Sequence, residues 1–114
     1  MLQNVIISRI KRQLYIVRAK PKNDLSGLRK ELESAKISKL QPFGETLHYG
    51  LQNARFDTNN SYAMWVEEDY CSPLLAMERD SVLDRYFDDI TVERISSEED
   101  GWKSLDDKPS LWSQ

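Results

Sequence analysis

A chain of 114 residues, 39% apolar and 31% charged, is long enough for one hydrophobic core and too short for two ordinary domains. No apolar run reaches the roughly 18 residues of a membrane span, and no basic stretch, apolar stretch and small-residue cleavage pattern follow one another as in a secretory signal. With a single cysteine there is no internal disulfide, so the sequence points to a cytoplasmic protein that is not integral to a membrane.

The net charge of −3 hides a division. Residues 1–40 hold ten Lys or Arg against three acids, and residues 41–114 hold six against sixteen. Such a division fits a nucleic-acid patch, but it also fits two complementary faces of a homodimer. The basic residues are spread among apolar ones and no recognition-helix or RNA-recognition signature accompanies them, so nucleic acid is the least favoured partner.

In chain order, residues 4–20 combine Val and Ile with local alternation and predict a strand, interrupted near Lys11–Gln13 and ended by Pro21. A helical spacing of Ile6, Ile10, Leu14 and Val17 competes with that reading. A short helix follows, capped by Asp24 or Ser26, with Leu25, Leu28, Leu32 and Ala35 on its buried stripe. Residues 45–56, the turn residues 57–60 and residues 61–70 read as a hairpin. Alternation then puts Leu47, Tyr49, Leu51, Tyr62, Met64 and Val66 on a core face, and His48, Gln52, Trp65, Glu67 and Asp69 on the other. Ser72 and Pro73 open a second helix whose stripe is Leu75, Ala76, Val82, Leu83, Tyr86 and Phe87, with Glu78 on its surface. Residues 90–95 form a last strand.

Strand, helix, strand, strand, helix, strand is the order of the ferredoxin-like βαββαβ fold: α+β, an antiparallel sheet with two helices on one face, here with a possible extra N-terminal strand. The single α+β domain spans residues 1–95. An acidic, irregular tail spans residues 96–114, in which Trp102 and Trp112 argue for docking on the body or on a partner subunit.

In that fold the second sheet face is left open. His48, Gln52, Trp65, Glu67 and Asp69 are the candidate ligand-binding residues on it, with Cys71 one step beyond. Histidine and carboxylates can bind metal or act as a base, but a hairpin places such pairs on its open face without any site, and the chain's one histidine leaves Cys71 without an activating partner. There is no phosphate loop, no CxxC, no HExxH and no nucleophile elbow. The residues therefore name no cofactor and no metal. The favoured function is a non-catalytic interaction or regulatory module acting as a homodimer, with a protein partner or small ligand on the open face. Its alternatives are a small enzyme or ligand-binding protein of the dimeric α+β-barrel kind, which is fold analogy alone, and nucleic-acid binding through the basic third.

Overall fold

The computed structural model of the protein describes residues 13–69 and 75–113. The first part of the N-terminal run, Cys71, Ser72 and Pro73 lie outside the described residues.

Strand β1 (Gln13–Pro21) leads to helices α1 (Ser26–Glu33) and α2 (Gly44–Gln52), then to strands β2 (Arg55–Asp57) and β3 (Tyr62–Asp69). Helix α3 (Ala76–Glu78) runs through a π-helical turn (Arg79–Leu83) into α4 (Asp84–Tyr86), followed by strand β4 (Phe87–Ile95), helix α5 (Glu98–Leu105) and a 3-10 turn (Leu111–Ser113). The strands form one antiparallel sheet in the order β2-β3-β1-β4. The architecture is mixed α+β, and no described helix is long and apolar enough to cross a membrane.

The central position of β1 follows from its sequence, because a strand with neighbours on both sides and cover on both faces must be apolar nearly throughout. Tyr15, Ile16, Val17 and Ala19 are all buried. Successive residues point to opposite faces, so Val17, level with Trp65 of β3 and Val92 of β4, shares one face, and Ile16, level with Val66, shares the other. On the first face Val17, Ala19, Ala63 and Trp65 pack with Leu28 and Leu32 of α1, Leu47 and Leu51 of α2, and Val82 and Leu83 of the π turn. On the second face Ile16 and Val66 pack with Leu105 of α5.

Each fully buried leucine of the larger cluster is worth about 1.5 to 3 kcal/mol of transfer free energy. That burial decides the one large departure from the sequence reading. Residues 44–52 form a helix, not a strand. Phe43, Leu47, Leu51 and Ala54, all buried, recur every three or four residues, a helical stripe that residues 45–56 satisfy as well as alternation. Tyr49, expected in the core, is 54% exposed. The strand survives only as Arg55–Asp57, and the expected turn joins it to β3: Asp57 accepts from Ser61 N through its carbonyl and from Asn59 N through its carboxylate.

The sheet faces are consequently exchanged. Trp65 and Glu67, expected on an open face, lie with Ala63 on the main core face and are buried, whereas Val66 belongs to the smaller cluster under α5. Two glycines make this double cover close. A methyl added to Gly50 of α2 would stand 2.8 Å from Trp65 Cδ1, and one added to Gly101 of α5 would stand 2.4 Å from Ile95 Cδ1 and 2.8 Å from Val66 Cγ2.

Three further segments depart from expectation. Phe87 opens β4 with an extended backbone and is not the last residue of a helix. Glu78, expected on the surface, is buried three residues after Leu75 and four before Val82, on the same stripe as both. The tail is not irregular throughout: residues 98–105 form α5, started by the Ser97 side chain accepting from Asp100 N at 3.1 Å, with Glu98, Glu99 and Asp100 facing the positive end of the helix dipole. Beyond α5, Phe56 N donates to Pro109 O and Leu111 N to Ala54 O, both at 2.8 Å, so the chain's end covers the outer edge of β2. Trp112 donates from Nε1 to Leu51 O at 2.8 Å.

Candidate binding groove

The sequence candidates do not meet as a cluster. Trp65 and Glu67 do meet, side by side on the core face of β3, where Trp65 Nε1 donates to Glu67 Oε1 at 2.8 Å. Both are buried, so this pair holds the core and is not a surface of the sheet. His48 and Gln52 lie on α2, one helical turn apart. Gln52 is exposed, and the His48 Nδ1 atom is buried without a hydrogen-bond partner among the described residues. Asp69 ends β3 opposite Gln13 of β1. No strand carries His48 beside Asp69, so the expected histidine–aspartate pair on neighbouring strands is absent from the sheet.

A different arrangement arises where α2 and α5 approach one another past β3. The buried residues of α2 are Gly44, Leu47, Gly50 and Leu51, which turns Glu45, Thr46 and Tyr49 away from the sheet. In α5 Gly101 and Leu105 face the sheet, leaving Glu98, Glu99 and Trp102 toward α2. These two triplets wall a cavity of about 530 Å³ whose floor is Val66, Glu67 and Glu68. Three successive residues of a strand cannot share one face. The cavity therefore meets β3 along its edge, beyond Met64, where the pairing with β2 stops.

Tyr49 and Trp102 close one end of the cavity, with ring centroids 6.0 Å apart and planes at 79°, the edge-to-face geometry that aromatic quadrupoles favour. On the far side of this pair lies a second hollow of about 300 Å³, bordered by Asn53, Arg55, Lys103 and Asp106. Arg55 is held there by donating to Lys108 O at 2.6 Å. The seam between α2 and α5 thus has an acidic compartment, an aromatic divide and a smaller compartment of mixed charge.

Chemically, the acidic compartment offers the carboxylates of Glu45, Glu68, Glu98 and Glu99 beside the buried Glu67, with two hydroxyls and aromatic surface, and none of its described lining residues is histidine, cysteine, serine or lysine. Among the described residues no three His, Cys, Asp or Glu side chains are arranged to hold a metal ion. Glutamates of this kind attract cations, and an aromatic face beside them adds a cation–π attraction.

The best-defined charged cluster elsewhere is structural. Glu31 of α1 accepts from Arg85 Nη1 at 2.9 Å and from Nη2 at 3.2 Å, and the Tyr86 hydroxyl donates to the same carboxylate. Burial pushes the Glu31 carboxyl up, but hydrogen bonds from Arg85 and Tyr86 and the charges of Arg85 and Lys36 outweigh it and hold the group below its usual value. Burial and the bond to Glu31 push the Tyr86 phenol up. This cluster fastens α1 to α4.

Glu45, Glu98, Glu99 and Trp102 were not among the sequence candidates. A usable signal existed in residues 97–100, where Ser followed three residues later by Asp resembles a helix start, with Glu98 and Trp102 one turn apart behind it. Comparison of the chain with protein-family profiles, with curated protein sequences and with solved structures finds no significant match.

Proposed function

We propose that the protein is a non-catalytic interaction module whose recognition surface is the seam between α2 and α5. The observation that carries this reading is the composition of the acidic compartment: its described lining residues are carboxylates and aromatic rings, with one threonine and one valine. Carboxylates can serve as bases, but exposed ones beside aromatic rings on two facing helices make a surface suited to recognising a cation. Within the same reading the sheet follows the split βαβ plan of ferredoxin-like folds, which the position of β3 between β2 and β1, and of β4 on the far side of β1, supports. The single cysteine supports a reducing compartment such as the cytoplasm.

Site-specific photocrosslinking in cells tests the surface. With benzoylphenylalanine in place of Thr46 inside the seam, we expect a discrete adduct; at Thr91, exposed on β4 on the opposite edge of the sheet, we expect none. An adduct of twice the chain's mass identifies the partner as a second copy and keeps the homodimer. Equal crosslinking at both positions, or none at Thr46, removes the seam as the recognition surface.

A further inference from the structure

The acidic compartment and the aromatic divide together specify a partner more narrowly than a binding surface alone. We propose that the seam takes a basic segment of a partner protein, with an arginine side chain seated among Glu45, Glu98 and Glu99 and its guanidinium against Tyr49; this rests on the seam being the recognition surface. Glu45, Glu98 and Glu99 are all exposed and come from two different helices, so their fields add in a cavity that no single helix builds. Tyr49 is one of only two large apolar side chains among the described residues with substantial exposure, the other being Met77. Its 54% exposure beside three carboxylates is the setting that a planar, weakly hydrated cation fits best, because guanidinium can stack on the ring while its N–H groups reach carboxylates.

A segment of chain suits the seam better than a free amine. The seam continues from the acidic compartment past Tyr49 and Trp102 into the hollow bordered by Arg55, Lys103 and Asp106. A small amine reaches the first compartment alone. A peptide spans both, and places backbone or an acidic side chain near Arg55 and Lys103.

All three glutamates also lie in the first turns of their helices, where they complement the helix dipole. That role predicts an effect on stability and none on binding, so the experiment must read both. Fluorescence anisotropy of a labelled heptapeptide with arginine at alternate positions is measured against the intact protein at about 0.15 M salt. The comparison ligands are the same peptide with citrulline for arginine and free N-acetylarginine amide. We expect the citrulline peptide and the double variant Glu98→Gln, Glu99→Gln each to weaken binding about tenfold, and Tyr49→Ala severalfold. The control double variant Asp88→Asn, Glu93→Gln removes the same charge from the exposed side of β4 and should leave binding unchanged. Thermal melts confirm that each variant is folded.

Equal affinity for the arginine and citrulline peptides overturns the cationic partner while leaving the photocrosslink at Thr46, and hence the seam itself, standing. An equal loss in the β4 control shows diffuse attraction to an acidic protein and overturns the site. Binding of N-acetylarginine amide as tight as that of the peptide overturns the segment.

Discussion

Trp65 shows how much one side chain carries. It has no exposed surface, its ring lies 5.4 Å from that of Phe87, and its Nε1 is bonded to Glu67. Phenylalanine in its place fills part of the space but removes the donor from a buried carboxylate. We expect Trp65→Phe to cost ~2 to 4 kcal/mol, read as a lower urea midpoint at unchanged slope. Glu31 gives a pH-dependent counterpart. Its folded carboxyl lies below the ordinary glutamate value, so its contribution is complete above the unfolded pKa, near 4.3, and disappears as pH falls through the folded one. Glu31→Gln should therefore be less stable than wild type by about 1 kcal/mol at pH 7, a modest figure because Arg85 is half exposed. The gap should narrow as pH falls from about 5 to 3; a constant gap in denaturant melts across that range would assign the effect to packing.

Elements differ in how well their residues announce them. Helix α1 was legible because Leu25, Leu28 and Leu32 recur at three and then four, and the odd step fits no alternating strand, while Asp24 stands before it accepting from Ser26 N at 2.9 Å. Helix α2 was not, since Leu47 and Leu51 are four apart and serve a helix and an alternating strand equally. The deciding facts were tertiary: Trp65 needs a glycine above it, and Phe43 extends the stripe outside the window that looked like a strand. Helix α5 was hidden by composition, as a run of acids with a glycine reads as unfolded chain until the Ser97 cap is noticed. That cap gives a direct check. Ser97→Ala should cost about 1 kcal/mol, and hydrogen exchange of the α5 amides should accelerate while those of β1 keep their protection.

Across the whole molecule, the four-stranded antiparallel sheet was legible, and the site was not. Strand signals survive a change in the element beside them, whereas a groove depends on which faces two helices turn toward each other, and the sequence reading had neither helix. The chain's end belongs to the body in the same global sense. Leu111 is 5% exposed within the main core, and Pro109, Leu111 and Trp112 bond to Phe56, Ala54 and Leu51. Truncation after Asp107 should lower stability by ~2 to 5 kcal/mol, seen in a thermal melt. It should also bare the outer edge of β2 and promote association, seen by light scattering.

Trp65 and Val66 are joined by one peptide bond and point to opposite sides of the sheet, and each is met by a glycine from a different helix. The separation of α2 from α5 is thus gauged at a single point of the backbone, by two methyl groups that are not there. Residues that line nothing set the width of the opening: a side chain at 101 would lift α5 from Val66 and part Trp102 from Tyr49, altering what the groove admits without touching any residue that a ligand would meet.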